Sequence, residues 1–366
     1  MVAATTKGAT TASTSPDRGS RAAFAAKTVA ASAACALAFV GSPRELRVLA
    51  GVSGAFATQF VAGESRPAQR DVFLGASTAF VLLVLAATAV AGPPPHPFAH
   101  EALLVVTAFA VFPIRAALPG RPFFPLFGFT TVLLTTLLAP RHTTFETGVA
   151  ALTGVVAAYV VHFGLSSLHA PPVVMPVPSP SPSPSPSRAQ GGGRPTGIAT
   201  GDLMLGVRGA VATVLASLLA HELHLARPYW VELTAVVLIN ETWRESMQKG
   251  IERVIATALG CVAGWLLQQA LATRPGLVPF VLFACVFFAV YERPVSYPRM
   301  MFFLSLYVVL LFSMIGQWTI ATAVARVVDT GVGVAIAVVV TLVTSRARRH
   351  GEERGTPEGA ARARSG

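Results

Sequence analysis

Apolar residues in this 366-residue chain come in long blocks separated by short polar gaps. Two blocks, 72–91 and 300–325, contain no charged residue. At about 1.5 Å per helical residue, each is long enough to cross a hydrocarbon core of about 30 Å. Further blocks at 22–41, 46–62, 100–116, 122–139 and 147–168 complete a first half. Blocks at 203–222, 228–241, 252–272, 277–292, 299–317 and 326–345 make a second. The pattern predicts an all-α polytopic membrane protein of about twelve transmembrane helices.

The polar gaps carry an orientation. Alternate gaps hold Arg66 and Arg70, Arg115 and Arg121, Arg244 with Lys249 and Arg253, and Arg293 with Arg299; Arg346, Arg348, Arg349, Arg354, Arg362 and Arg364 follow the last block. The intervening gaps hold only Arg44, Arg47, Arg141, Arg227, Arg274 and Arg326. Basic loops stay in the cytoplasm, so an even helix count with both termini cytoplasmic fits the pattern. Between the halves, 171–194 contains alternating Ser and Pro followed by three glycines. Such a segment forms an extended, solvated linker rather than a core. The expected organisation is a cytoplasmic tail (1–21), a first transmembrane repeat (22–170), a cytoplasmic linker (171–203), a second repeat (204–345) and a basic cytoplasmic tail (346–366).

At a shift of 178–183 residues the halves repeat one another. Arg115 and Arg121 fall opposite Arg293 and Arg299, each pair separated by five intervening residues that include a proline. The run Glu146-Thr147-Gly148-Val149 falls opposite Asp329-Thr330-Gly331-Val332, and Lys27 opposite Arg208. Two six-helix repeats in one orientation imply a pseudo-two-fold axis along the membrane normal, with a pathway between the halves.

Composition agrees with a lipid environment: 53% hydrophobic residues, 12% charged and a mean hydropathy of +0.61, against roughly a quarter charged in soluble domains. A net charge of +11 raises the question of a nucleic-acid partner. The basic residues follow the loop rule and are not interleaved with aromatics, so none is expected. Cys35, Cys261 and Cys285 each lie inside an apolar block and read as packed thiols. The first apolar block starts at Ala22 without a small-residue cleavage site, so no cleaved signal peptide is expected. Ala-rich, Arg-over-Lys usage points to a bacterial cell membrane.

The run Pro228-Tyr229-Trp230-Val231-Glu232-Leu233-Thr234-Ala235, with Arg253, Thr257 and Gly260 further on, resembles the signature of the fusaric acid resistance (FUSC), or aromatic acid exporter, family. Arg326, Asp329-Thr330 and Gly331 are similar to that family's pattern at the head of the sixth helix. Glu232 stands where the family has an apolar residue, and Ala256 replaces the glycine of its Gly-Thr pair. The resemblance covers most of 204–345 and implies export of small organic acids, aromatic ones among them, driven by an ion gradient. A passive organic-anion channel, as in the distantly similar plant malate channels, and a membrane-embedded enzyme or assembly factor are the alternatives.

No GxxxxGK[ST] motif encodes an ATP motor, which favours gradient-driven transport without a cofactor. Ionisable groups inside a bilayer are costly, so those present are candidates for function. His221, Glu222 and His224 cluster at the outer end of the second half's first helix, with Glu232 in the next. The histidines lie three residues apart rather than four, so no zinc site of the HExxH type is expected. Histidine titrates near neutral pH and a carboxyl group in apolar surroundings can hold a proton there, so this cluster is placed to hand protons inward; an outer loop meeting water is the plainer reading.

Arg208 and Lys27, near the cytoplasmic ends of their helices, are candidates to bind a substrate carboxylate, snorkelling being the alternative. Arg253, Arg293, Arg299, Arg115 and Arg121 set topology or form a cytoplasmic anion vestibule. Arg326 and Asp329 share one turn and read as a capping pair at a helix start. Gly260 and Gly264 form a GxxxG packing motif. Partners are therefore the lipid bilayer and a small organic acid, and a homo-oligomer is compatible with this reading.

Overall fold

In lipid every backbone N–H and C=O must be satisfied within the protein, which leaves helices as the outcome for apolar blocks of this length. The computed structural model describes residues 17–61, 66–91, 97–117, 143–164, 200–225, 228–240, 242–314 and 320–355, and all regular structure among them is helical. In chain order the helices are α1 (Arg18–Ala38), α2 (Arg44–Ala57), α3 (Arg66–Ala91), α4 (Pro97–Ala117) and α5 (Thr144–Tyr159). After the linker come α6 (Thr200–Glu222), α7 (Pro228–Val237), α8 (Trp243–Leu271), α9 (Val278–Glu292), α10 (Tyr297–Met314) and α11 (Ile320–Gly355). Among the described residues, seven helical stretches are long and apolar enough to cross a membrane: Arg66–Val90, Thr144–Gly164, Gly201–Glu222, Trp243–Leu271, Pro275–Glu292, Tyr297–Met314 and Ile320–Arg346. The chain is a multi-pass helical membrane protein. The expected fifth helix of the first half (122–139), Arg121, and the expected linker as far as residue 199 lie outside the described residues; residues 200–203, expected in that linker, open α6.

Several expected boundaries move, each for a local reason. Helix α8 starts nine residues before 252, because Thr242 caps it: the Glu245 N–H donates to Thr242 Oγ1 at 3.3 Å. Arg244, Lys249 and Arg253 therefore lie on a helix and not in a gap. Helix α11 starts at Ile320, so Arg326 and Asp329 lie about two turns inside it and are not its cap. It also runs to Gly355, making the first part of the basic tail helical. The corresponding first-half helix begins at Thr144, three residues before its expected start at 147. Thr143 accepts from the Glu146 N–H at 3.2 Å, and Glu146 reaches back to the Thr143 N–H at 2.9 Å.

The most consequential difference is α7. Expected to span 228–241, it holds 10 residues, or about 15 Å, half the thickness of a hydrocarbon core. Backbone that leaves the helix at this depth is tolerated only where protein satisfies it. Here the Asn240 amide donates to Leu238 O at 2.8 Å, Arg208 Nη1 donates to Asn240 O at 3.3 Å, and Lys249 Nζ to Asn240 Oδ1 at 2.9 Å.

Packing follows one pattern in both halves. Helix α1 packs on α2 and α5, and α6 on α7 and α11; α5 also covers α2 and α3, as α11 covers α7 and α8. Between halves the contacts are reciprocal: α1 lies against α9, and α6 against α4. Arg21 joins the first pair, its guanidinium 4.4 Å from the Tyr291 ring centroid and its Nη2 3.4 Å from the Tyr291 hydroxyl. Glycines set the closest approaches. A Cβ on Gly260 would come within 2.7 Å of Phe302 O and Ser305 Cβ, so α8 and α10 can meet there only without one.

Candidate functional site

The aromatic pair that opens α7 sits beside a buried cation. Burying a guanidinium among apolar helices costs several kcal/mol unless something replaces its hydration. Arg326 of α11 is 5% exposed, and its guanidinium carbon lies 3.6 Å from the centroid of the Trp230 ring. Such a desolvated cation–π contact is worth about 2 kcal/mol, less than the burial costs. Asp329, Arg253, Tyr229 and Cys261 lie within electrostatic reach of Arg326. Arg253 of α8 is itself buried and directs Nη1 to the Tyr297 hydroxyl at 3.4 Å. Nε and Nη1 of Arg326 and Nε of Arg253 are buried with no protein hydrogen-bond acceptor among the described residues. Behind the Trp230 ring stands Phe312, centroids 6.3 Å apart, and Tyr307 packs into the same cluster. Two buried arginines, with the buried Asp329 in reach, lie beside aromatic rings between α7, α8, α10 and α11, and a guanidinium against an aromatic ring is chemically suited to a carboxylate on an aromatic body.

On the opposite side of α7 lies a carboxyl group. Glu232 is 5% exposed, and the Ser217 hydroxyl of α6 donates to its Oε1 at 2.6 Å. Glu101, near the start of α4, is within electrostatic reach. Positions 230 and 232 point about 200° apart on a helix, so one short element carries both groups on opposing faces.

The remaining sequence candidates separate. His221, Glu222 and His224 are exposed at the end of α6. His224 has a positive φ of 50°. Its N–H bonds His221 O at 3.0 Å, and the Leu225 N–H bonds Ala220 O at 2.9 Å, the paired bonds that end a helix. Arg208 is buried and holds the broken end of α7, which accounts for at least one of its donors. Lys27 of α1 lies within electrostatic reach of Arg66 and His162. Arg293 bonds Gln59 Oε1 across the halves, and Arg299, exposed, pairs with Glu292 at 3.4 Å. The side chain of Arg115 lies outside the description. Thr257 accepts a 3.5 Å bond from Ser305, Thr234 packs under Gly333, and a Cβ on Gly331 would meet nothing. All three cysteines are buried and free.

Sequence reasoning missed Arg326 and Arg253 as a pair. They are 73 residues apart in sequence, and one was assigned to a helix cap and the other to a loop. The available signal was that Arg326 interrupts an otherwise apolar run; Arg253, directly after Glu252, gave no such signal.

Fold and site together define a multi-pass helical membrane protein with a buried cationic–aromatic centre in its second half. Residues 213–340, within the second half, match the family described as Fusaric acid resistance protein-like. Among curated proteins, one of Haemophilus influenzae described as uncharacterized is 35% identical over 111 residues, covering 30% of this chain. The chain spans 15% of that relative's length. No solved structure matches.

Proposed function

We propose that the chain is a secondary transporter of the cell membrane that exports small organic acids, aromatic ones among them, with both termini in the cytoplasm. The observation that carries this is the buried Arg326 guanidinium on the Trp230 ring with Arg253 nearby. A carboxylate there meets two charge-assisted donors in a low-dielectric setting, where each is worth more than in water. The family match supports transport over an enzyme. The reciprocal contacts α1–α9 and α4–α6 support two six-helix repeats about an axis along the membrane normal, with the pathway between them.

The test uses the purified chain in proteoliposomes and counterflow of labelled phthalate, benzoate and malate in turn. At least one aromatic carboxylate is expected to be taken up in counterflow. Arg326→Gln should weaken that uptake by about two orders of magnitude, and Arg326→Lys less, since a point charge restores attraction without the planar fork. Absence of counterflow with all three, in well-folded protein, refutes the reading. Saturating electrical conductance without accumulation would make the protein a channel.

A further inference from the structure

We infer that Glu232 is the proton-carrying group of this protein, and that α7 links the protonation of Glu232 to anion occupancy at Arg326. The inference rests on the transport reading.

The geometry has three parts. Glu232 is buried, and it reaches out of its own helix to Ser217 on α6 at 2.6 Å. The groups facing it come from both halves: Ser217 on α6, with exposed His221 and Glu222 one turn further out, and Glu101 on α4, which packs against α6. From α11, Arg326 lies on the Trp230 ring at the other face of α7, with Asp329 within electrostatic reach of Arg326. Burial takes a charged Glu232 out of water, with Glu101 also within electrostatic reach, and a proton on it removes the charge that burial penalises. Finally, α7 is only 10 residues long and ends in a turn held by side chains rather than by continuing helix. A short element of that kind can tilt as a unit, and any tilt moves Glu232 and Trp230 together.

The proton step is a simple binding equilibrium. A proton from the outer side, reaching the site past His221 and Glu222, adds to the Glu232 carboxylate and gives the neutral acid, whose hydroxyl can then donate to Ser217 Oγ. The proton leaves again as the carboxylate re-forms facing the cytoplasm. No redox partner is needed.

The experiment compares wild type, Glu232→Gln, Glu232→Asp, Ser217→Ala and Arg326→Gln in the same proteoliposomes. The substrate is whichever of phthalate, benzoate and malate the wild type transports best. Each variant is checked for a monodisperse size-exclusion profile. Glu232→Gln should keep counterflow at symmetric pH within about threefold yet lose accumulation driven by a pH gradient and lose substrate-dependent proton flux read by an interior dye. Glu232→Asp should recover part of both. Ser217→Ala should shift the pH at which accumulation is half-maximal while leaving counterflow intact, as a positioning residue would. Arg326→Gln should lose counterflow and substrate-dependent proton flux together. The proposal is overturned if Glu232→Gln still accumulates substrate on a pH gradient, if it loses counterflow along with accumulation, or if the wild type shows counterflow yet no pH gradient drives it to accumulate substrate. Those results leave the transport reading standing. Failure of wild-type counterflow with all three carboxylates removes the transport reading itself.

Discussion

His224 occupies a backbone conformation that an L-residue adopts at a cost. Its φ of 50° lets two N–H groups close the end of α6, and Leu225 then turns back onto the core formed by α4, α6, α7 and α11. Glycine takes this conformation without strain. His224→Gly should therefore stabilise the protein by about 1 kcal/mol, raising the midpoint of thermal unfolding in detergent, and should leave counterflow unchanged. A loss of transport would show that the imidazole does more than end a helix. At Arg326 the same scale shows the opposite case, a residue whose burial is not offset by its visible contacts. Trp230 covers one face of the guanidinium, and two of its nitrogens have no protein acceptor among the described residues. Buried donors of that kind mark where a ligand's oxygens would be recognised.

Among the elements, α7 and α8 share a junction that places the site. The Thr242 cap starts α8 early, which lifts Arg253 from a loop into a buried helical position. Removing the cap hydroxyl in Thr242→Ala should cost about 1 kcal/mol of stability, seen as a lower thermal midpoint. Thr242→Ser should restore it. If Thr242→Ala lowers transport more than stability, the α7–α8 turn also positions Arg253 against Arg326. Helix α7 is short because Pro228 opens it at a position that needs no N–H, and because Asn240, Arg208 and Lys249 satisfy the chain where it stops. Helix–helix approach is set by small residues on α8: Gly260 meets Phe302 and Ser305, and Gly264 meets Val309. Those contacts bring α10, with Tyr307 and Phe312, against the aromatic wall.

For the molecule as a whole, orientation is the property most open to direct measurement. His221 and Arg346 are both exposed and lie at opposite ends of the second half's helices. In a background with Cys35, Cys261 and Cys285 replaced by alanine, His221→Cys should react with a membrane-impermeant maleimide added to intact cells, and Arg346→Cys only after the membrane is opened. The reverse labelling would invert the topology and with it the direction of export. The reciprocal packing of α1 on α9 and of α6 on α4 ties the halves into one body, and Arg21–Tyr291 and Arg293–Gln59 add polar links across the same boundary.

The membrane class, the all-helical character and the family resemblance were legible in the chain, because each depends on local pattern. Apolar blocks long enough to span lipid have to become helices, and basic gaps, a Ser-Pro linker and a Tyr-Trp motif can be read without knowing what they touch. The site was only half legible. Glu232 stood out as a charge in an apolar block, and the structure placed it against Ser217. Arg326 gave the same kind of signal and Arg253, beside Glu252, did not; they were assigned to a cap and a loop, since a helix start depends on a few capping hydrogen bonds that pattern does not resolve. What brings Arg326 onto Trp230, and puts Glu232 on the other face of the same short helix, is the packing of α11, α8 and α6 around α7. Contacts between residues nearly a hundred positions apart depend on how helices meet, and only the tertiary structure decides that.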